Sequence, residues 1–376
     1  MQTRSQPDLA TDARRAADWV ACPDCGGEVT PDHDNGLACT GCGLAVPVRH
    51  GIAGFADPSF YWGEIDREAM EALLDDLERD GDVAAAVDRA ETNRATRRFH
   101  RNVLDVNRSD WRYLVPGLTE ANVLDIGAGM GANTFGLATV ARHVVALEGV
   151  MLRCRFLESR RRIEGWNNVT VVHGDSNRLP LAHGRFDLAV VNGMLEWVAM
   201  RDNGVDPRLV QRQFLEQVHD RLAPGGRLYV GIENRIGLAS FTGAIDHSGY
   251  PYTMLMPRRV ADWYVRRKAD RDKWRSDDNN QGYRTYTYGM GGYRRLLWAA
   301  GFTDVEFYWV DPVYNSPRCW VPLASKRAML EYLACDGTRR SWKGRLVRTA
   351  LRLMVRCGIR GVAPSNFIIL AKKGLA

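Results

Sequence analysis

Apolar and polar positions show two different periodicities along the chain. Within residues 58–112, apolar side chains such as Met70, Leu73 and Leu77 recur at helical spacing, with acids and arginines between them. From Asn122 onward, short β-branched and apolar runs alternate with helical stretches. The first pattern predicts an amphipathic helical connector, and the second predicts an α/β domain with a doubly wound, mostly parallel sheet.

The strands of that sheet are expected at seven places. They are residues 123–126, 143–147, 169–172, 186–191, 227–232, 305–310 and 367–371. The last two are expected to pair antiparallel at an edge of the sheet. This pairing makes residues 311–363 an insertion, in which a basic amphipathic helix is expected over Ser341–Arg356.

The N-terminal part of the chain has too few apolar residues to form a core of its own. Two Cys-x-x-Cys pairs, Cys22 with Cys25 and Cys39 with Cys42, are separated there by 13 residues. This spacing lets two turns supply four thiolates to one tetrahedral zinc ion, and four thiolates leave no open position for catalysis. We therefore expect a structural zinc site, with a reduced, metal-free cysteine cluster as the alternative.

Composition and charge narrow the class of protein. With 45% apolar and 26% charged residues, the chain is typical of globular proteins rather than disordered or fibrous ones. No apolar run approaches the roughly 18 residues that a membrane span requires. Residues 1–18, expected to be a loose tail, lack the apolar stretch of a signal peptide, so a cytoplasmic location is expected.

A glycine-rich turn follows the first strand of the sheet. Gly127, Gly129 and Gly131 stand at alternate positions before a helix, so backbone can approach a ligand closely there. Glu148 ends the next strand, where a carboxylate can accept hydrogen bonds from both hydroxyls of a ribose. Asp175 ends the third strand and suits the amino group of an adenine. The competing interpretations are a purely structural turn and a nicotinamide or flavin site, whose usual spacing is Gly-x-Gly-x-x-Gly.

Together with Asp125, this pattern resembles the class I S-adenosylmethionine-dependent methyltransferases, which have a Rossmann-like sheet of seven strands. The resemblance covers about residues 110–310 and the last strand. It implies that Asp125 reaches the amino acid moiety of the cofactor, Glu148 its ribose and Asp175 its adenine. The cofactor site expected from it comprises Asp125, Gly127, Ala128, Gly129, Gly131, Glu148, Gly149, Asp175, Ser176 and Asn192.

Other segments are similar to a group of bacterial and archaeal methyltransferases found with glycan and natural-product pathways. They include Tyr61–Ile65, Gly231–Arg235 and Tyr283–Tyr288. The cysteine segment resembles a zinc-ribbon protein that activates tRNA and protein methyltransferases in trans, here fused in cis. One departure is that the relatives have Glu-Asp-His-Thr-Gly where this chain has Ile245–Gly249.

The acceptor loop is expected directly after the fifth strand. Glu233 ends that strand, and Asp246 and His247 follow in the rim where ligands of such sheets bind. Because His has an ordinary pKa near neutrality, His247 is expected to act as a general base toward an acceptor hydroxyl, with Glu233 or Asp246 positioning it. The alternatives are structural: an ion pair of Glu233 with Arg235, and a solvated His247.

Two further segments could contact other molecules. The stretch Tyr283–Arg295 is rich in Tyr and Arg and suits sugars, aromatic rings or nucleotides about equally. The Ser341–Arg356 helix could lie on an anionic membrane or reach a lipid-linked substrate, although packing against the core is favoured.

The sequence thus predicts an S-adenosylmethionine-dependent O-methyltransferase of a sugar or natural-product small molecule. The expected layout is a tail at 1–18, a zinc ribbon at 19–57, a helical connector at 58–112, a catalytic core at 113–310, an insertion at 311–363 and the last strand at 364–376. One alternative is an rRNA or tRNA methyltransferase that recognises RNA through the ribbon. The modest net charge of +6 argues against this alternative. The other alternative is a non-catalytic scaffold. The intact acids Asp125, Glu148 and Asp175 argue against it.

Overall fold

The protein is described here by a computed structural model, which divides into two compact units. The first comprises residues up to Val190 together with Gln217–Gly226, and the second comprises Val191–Glu216 and Arg227–Gly374. The structure describes residues 15–32, 36–90, 103–200, 204–268, 282–335 and 341–375. Most of the expected tail, part of the connector (91–102) and part of the expected insertion (336–340) therefore lie outside the described residues.

Two sheets occur in the first unit. Its strands are β1 Val29–Pro31, β2 Leu37–Cys39, β3 Ala45–Val46, β4 Val48–Arg49, β5 Ile52–Gly54, β6 Asn122–Ile126, β7 His143–Glu148, β8 Val169–His173 and β9 Phe186–Asn192, which ends in the second unit. β1, β2 and β3 form a small antiparallel sheet. The others lie in the order β9-β6-β7-β8-β5-β4, in which β6, β7, β8 and β5 pair in parallel.

The strands predicted between residues 123 and 191 are confirmed. Nearly every residue of β6, β7 and β8 is buried, as expected for parallel strands that are covered on both faces. Their β-branched and apolar composition, with few polar interruptions, is therefore what this position in a sheet requires.

The helices of the first unit include the predicted connector. They are α1 Arg67–Asp80, α2 Val83–Ala90, α3 Ala132–Ala138 and α4 Met151–Glu164, with 3-10 helices at Val106–Leu114 and Leu118–Glu120. α1 begins after Asp66, whose carboxylate accepts a hydrogen bond from the Ala69 amide, and it ends at Gly81 in the left-handed conformation. Its apolar face packs in one core cluster with Met130 and Phe156. The connector thus packs against the glycine-rich turn and α4.

The boundaries expected at the N-terminus are wrong in two places. Ala16 is only 1% exposed and the Trp19 ring stacks on His143 at 4.6 Å, so residues 15–18 belong to the folded unit rather than to a loose tail. β5, expected inside the zinc ribbon, pairs with β8, with Ala53 opposite Val172. A short segment without a core of its own buries its apolar residues by extending the larger sheet.

In the second unit, an antiparallel sheet is formed by β10 Leu222–Glu233, which begins in the first unit, β11 Phe302–Val313, β12 Ser316–Pro322 and β13 Asn366–Lys373. Their order is β10-β13-β11-β12. The helices are α5 Pro207–Arg221, whose last turn belongs to the first unit, α6 Leu238–Phe241, α7 Arg258–Lys268, α8 Met290–Ala299, α9 Lys326–Cys335 and α10 Trp342–Arg356.

The predicted antiparallel pairing of the last two strands is confirmed, with Tyr308 opposite Ile368. The expected insertion is nevertheless not a separate feature, because β11 continues to Val313 and a hairpin returns as β12. With β4, β5 and β12 in the sheets, the expectation of seven strands is wrong. None of the helices in the described part of the chain is long and apolar enough to cross a membrane.

Candidate functional site

The four cysteines of the N-terminal segment lie together. Sγ of Cys22 is 3.6 Å from Sγ of Cys42, Sγ of Cys25 is 3.4 Å from Sγ of Cys39, and all four sulfurs lie within 4.8 Å of one another. A tetrahedron of sulfurs about 2.3 Å from a zinc ion has edges of about 3.8 Å. A Cβ at Gly27 would lie 3.2 Å from two of these sulfurs, so glycine leaves the room that they need. The donors therefore fit a zinc ion.

The glycine-rich turn has the backbone conformation that its sequence predicts. Gly127, Gly129 and Gly131 have φ angles of 70°, 58° and 87°, in the left-handed region that favours glycine. The amides of Gly127 and Ala128 donate to the carbonyl of Leu147 at 2.9 and 3.1 Å, which fixes the turn to the end of β7. A Cβ at Gly129 would meet only the Gly127 carbonyl oxygen, at 4.0 Å, so backbone is open to a ligand there.

Glu148 joins this turn. One carboxylate oxygen accepts a hydrogen bond from the Gly129 amide at 2.8 Å, and the other accepts from the Val150 amide at 2.9 Å. The side chain is thereby held at the end of β7, beside the turn. This position agrees with a carboxylate that receives ribose hydroxyls, and each oxygen retains a lone pair for a further donor.

Asp125 lies buried at the end of β6. Its carboxylate accepts a hydrogen bond from the Thr134 hydroxyl on α3, at 2.6 Å. Burial raises the pKa of Asp125 to about 6, although the Thr134 bond works in the opposite direction. A carboxylate held at this pKa titrates near the lower end of the physiological range.

The remaining predicted cofactor residues are placed as follows. The Asp175 carboxylate accepts from the Asn177 amide at 2.9 Å, which closes a local turn after β8, and Ser176 beside it is half-buried. The Gly149 carbonyl lies 3.2 Å from Nε2 of His173. Asn192 belongs to the second unit, where its side-chain oxygen accepts from the Tyr229 hydroxyl and its side-chain nitrogen donates to Oδ1 of Asn315, each at 3.1 Å.

In the second unit, two carboxylates and an imidazole meet. Nε2 of His247 lies 3.3 Å from Oε1 of Glu233 and 3.5 Å from Oε1 of Glu196. The Glu196 side chain is 0% exposed, and within the described structure neither of its carboxylate oxygens has a hydrogen-bond partner. We refer to Glu196, Glu233 and His247 as the carboxylate–histidine cluster.

Aromatic side chains fix this cluster in place. The Tyr314 hydroxyl donates to Oε1 of Glu233 at 2.9 Å, and the Tyr293 hydroxyl donates to the Glu233 backbone carbonyl at the same distance. The Trp197 ring meets the His247 ring edge-on, with centroids 4.7 Å apart. Glu233 and His247 are thus preorganised by groups that cannot themselves take up a proton at neutral pH.

The charges within the cluster are strongly linked. Burial and the charge of Glu233 raise the pKa of Glu196. Burial opposes the charged form of His247, but the close carboxylates of Glu196 and Glu233 outweigh it and raise the His247 pKa to about 11. An imidazolium cannot accept a proton, so the raised pKa of His247 does not suit the role of general base expected for it.

Asp246 does not have the positioning role expected for it. Its carboxylate accepts hydrogen bonds from the amide and hydroxyl of Ser248 and from the Thr253 hydroxyl, the last at 2.7 Å. These bonds fold the loop around Asp246 onto itself. The residue therefore shapes the loop that carries His247, and Glu196 takes the place expected for it beside the imidazole.

Sequence reasoning did not select Glu196. It stands four residues after β9, in the segment Asn192–Trp197, which the sequence places at the end of a strand in the sheet. A carboxylic acid in such a loop, flanked by Leu195 and Trp197, is the signal that could have identified it. Burial of that acid is the property that a sequence does not reveal.

The Tyr- and Arg-rich stretch is largely internal. The Arg258 guanidinium lies over the Tyr286 ring at 4.0 Å, and Arg284 donates to the carbonyls of Ala199 and Val205. Tyr283 is buried as well. Most of the aromatic faces and cations that the sequence offers to an acceptor are thus used within the second unit.

Comparison with known proteins identifies the region around the glycine turn. Residues 124–230 match a family described as a methyltransferase domain. Demethylmenaquinone methyltransferase of Clavibacter sepedonicus is 32% identical over 111 residues, which are 29% of this chain and 39% of that protein. Malonyl-[acyl-carrier protein] O-methyltransferase of Xylella fastidiosa (strain M23) is 31% identical over 78 residues, 20% of this chain and 26% of that protein.

The match therefore spans well under half the length of these relatives. Among solved structures, phosphoethanolamine N-methyltransferase 2 of Haemonchus contortus in complex with S-adenosyl-L-methionine has a TM-score of 0.43 and 16% identity, covering 80% of this chain and 60% of that one. The family match contains the strand, glycine turn and acids whose geometry is given above, from Asp125 to Asp175. Residues 124–230, which include the glycine turn and its acids, are therefore similar to a methyltransferase domain.

Proposed function

We propose that the chain transfers a methyl group from S-adenosylmethionine to a hydroxyl oxygen of a sugar or natural-product small molecule. The observation that carries this proposal is the carboxylate–histidine cluster. Glu196 and Glu233 leave carboxylate oxygens without hydrogen-bond donors in a buried place, and an acceptor hydroxyl is a donor that would satisfy one of them.

The position of the cluster in the chain supports a ligand site. Glu233 is the last residue of β10, and Glu196 follows the end of β9. In open α/β sheets, ligands bind beyond the carboxyl ends of the strands. Each acid of the cluster thus lies at or just after the carboxyl end of a strand, where ligands bind in this class of fold.

The chemistry supports oxygen as the methyl acceptor. The sulfonium of the cofactor supplies an activated methyl group, so the protein needs to align the nucleophile and remove its proton. A hydroxyl must lose that proton as attack proceeds, whereas a neutral amine can lose its proton afterwards. Two carboxylates beside an imidazole provide proton acceptors that an amine acceptor would not require.

The loop that carries His247 supports an acceptor with an apolar body. Ile245, two residues before His247, is 70% exposed, and Tyr252 in the same loop and Phe241 at the end of the preceding helix α6 are also exposed. Exposed apolar side chains concentrated in one loop are typical of a binding rim. A hydroxylated compound with a hydrophobic part fits this rim better than RNA does.

The test is methyl transfer from labelled cofactor to hydroxylated natural products, nucleotide sugars and RNA. We expect a small-molecule class to be labelled and RNA not to be. Glu196→Gln should lower turnover by about 100-fold while cofactor affinity holds. Glu331→Gln, an exposed acid on α9, is the matched control. Methylation of RNA alone, or undiminished turnover in Glu196→Gln, would contradict the proposal.

The four-cysteine cluster is proposed to hold a structural zinc ion. Its sulfurs have the spacing of a tetrahedral site, and four thiolates complete the coordination of zinc without room for a substrate. The small β1–β3 sheet around them has little apolar core, so the metal would stabilise the fold of this segment.

Peripheral contact with an anionic membrane is proposed for α10. Trp342, Leu346 and Leu353 are exposed at helical spacing, with 62% of each side chain accessible. The helix contains no acid, and Arg345 and Arg356 are exposed beside this stripe. An exposed apolar stripe flanked by arginines is typical of helices that lie in the interface of anionic lipids.

A further inference from the structure

Within the described residues, the Glu196 carboxylate faces Nε2 of His247 at 3.5 Å but accepts no hydrogen bond. Its side chain is 0% exposed, and both of its oxygens lack a hydrogen-bond partner. A buried carboxylate without donors is costly, and proteins retain such groups mainly where a ligand or ion completes the site. Oε2 of Glu233 and Nε2 of His247 are likewise buried and without hydrogen-bond partners, so all three members of the cluster direct unsatisfied atoms to one place.

The geometry points to a divalent transition-metal ion bound by Glu196, Glu233 and His247. Each residue offers one ligand atom, and these atoms lie within 4.8 Å of one another. Nε2 of His247 is 3.3 and 3.5 Å from the carboxylate oxygens of Glu233 and Glu196. Ligands about 2.1 Å from a common ion lie about 3.0 to 3.4 Å apart, so a small adjustment completes the coordination.

The charge and donor types fit such an ion. Two carboxylates balance the charge of a divalent cation, and a neutral imidazole adds a nitrogen ligand. Oxygen and nitrogen donors suit Mn²⁺, Fe²⁺ or Zn²⁺ better than Ca²⁺ or Mg²⁺, which prefer oxygen alone. The Tyr314 hydroxyl on Glu233 and the Trp197 ring against His247 hold the ligands in place, as partners behind metal ligands commonly do.

Three protein ligands leave coordination positions open. An acceptor hydroxyl could occupy one of them, which would orient its oxygen and make its proton more acidic. This role rests on the proposed function. Binding of the metal itself does not, because it can be measured without cofactor or acceptor.

The test uses Mn²⁺ and the full-length protein with its cysteine cluster loaded with zinc. Mn²⁺ does not compete for four thiolates, so it reports on the cluster of oxygen and nitrogen donors alone. Titration followed by the electron paramagnetic resonance signal of free Mn²⁺ should show one ion bound per chain. Glu196→Gln and His247→Gln, which nearly preserve side-chain shape, should each weaken binding at least tenfold. Glu331→Gln on α9 should bind as the wild type does.

Two results would overturn the inference: no uptake of Mn²⁺ by the zinc-loaded wild type at millimolar concentration, or equal affinity in Glu196→Gln and the wild type. Thermal unfolding of each variant, compared with the wild type, shows that a loss of binding is not a loss of fold. If Mn²⁺ binds through these residues while no hydroxyl acceptor is methylated, the metal site stands and the proposed function fails. If methylation proceeds undiminished in Mn²⁺-free protein with a chelator present, the metal has no part in the reaction.

Discussion

At the scale of single residues, Glu148 connects the glycine turn to the proposed cofactor. It holds the amides of Gly129 and Val150 and has lone pairs left for two ribose hydroxyls. Removing it takes away charged hydrogen bonds to the ligand and releases the turn as well. The two effects have the same sign, because each weakens the cofactor site.

We expect Glu148→Ala to weaken the binding of S-adenosylmethionine by about 1.5 to 3 kcal/mol, through the loss of charged hydrogen bonds. Calorimetric titration measures this directly. Glu120→Ala, at an exposed acid in the same unit that pairs with the exposed Arg142, should leave the affinity unchanged. Equal dissociation constants for the Glu148 variant and the wild type would remove Glu148 from the cofactor site.

Asp125 gives the stability of the cofactor-free protein a dependence on pH. Its pKa in the folded protein, about 6 because of burial, lies above that of an exposed Asp, about 3.9. The folded protein thus keeps a proton that the unfolded chain has released. The stabilisation from that proton is full below about pH 4 and is lost as the pH rises through 6.

Asp125→Asn cannot ionise and still offers an oxygen to Thr134. Relative to the wild type, its free energy of unfolding should therefore rise by roughly 2 kcal/mol between pH 4.5 and 7.5. Urea unfolding at the two pH values measures the difference. The exposed Asp75 provides the control Asp75→Asn, which should track the wild type. A constant difference across this pH range would show that Asp125 stays ionised in the folded protein.

At the scale of elements, the cysteine knuckles and the strand beyond them form one continuous segment. β1–β3 carry the cysteines, and β5 pairs with β8 in the parallel sheet. Unfolding of the metal site would therefore free the strand at this edge of the sheet. We expect the proposed zinc to stabilise the edge as well as the ribbon.

Purified protein should contain one zinc ion per chain by elemental analysis. Cys39→Ser should lose that ion and expose the segment around residues 20–54 to protease, because the small sheet has little else to hold it. Cys335→Ser, at an exposed cysteine on α9, should keep both the metal and the resistance. A metal-free wild type with unchanged resistance to protease would show that the fold does not depend on zinc.

The two faces of α10 differ in burial. Leu351 and Val355 are buried, whereas Leu346 and Leu353 are exposed on the other side. The sequence favours packing against the core, and that packing uses one face. The second apolar stripe remains available for a partner such as a membrane surface.

Leu346→Asp combined with Leu353→Asp should reduce binding to vesicles that contain phosphatidylglycerol by at least tenfold. The reason is that the apolar stripe would then carry charges that repel anionic lipid. Cosedimentation measures the bound fraction, and added salt should weaken wild-type binding. Leu209→Asp, at an exposed apolar residue on α5, is the matched control. Absence of wild-type binding, or an equal loss in the control, would exclude this surface.

At the scale of the whole molecule, ligand binding should stabilise the folded chain. A ligand that binds only the folded protein, at 100 times its dissociation constant, adds about 2.7 kcal/mol to the free energy of unfolding. S-adenosylmethionine should therefore raise the melting temperature of the unit that contains Glu148, and NADH should not. A shift with NADH alone would favour the nicotinamide interpretation of the glycine turn.

The sequence by itself determined the features that depend on neighbouring residues. The parallel strands, the left-handed glycines at 127, 129 and 131 and the amphipathic α1 all follow from local periodicity and backbone preference. The spacing of the cysteines likewise predicts that their sulfurs can meet. Each of these features is specified by residues that are only a few positions apart in the sequence, or that belong to one short hairpin.

Only the tertiary structure decided which distant segments meet. Glu196, Glu233 and His247 come from three separate segments, and their convergence depends on how the second unit packs rather than on any local pattern. The same holds for the pairing of β5 with β8 and for the inward turn of Asp246. Burial then changes the chemistry of these groups, because a carboxylate that is ordinary in water acquires an altered pKa and a need for partners once water is removed.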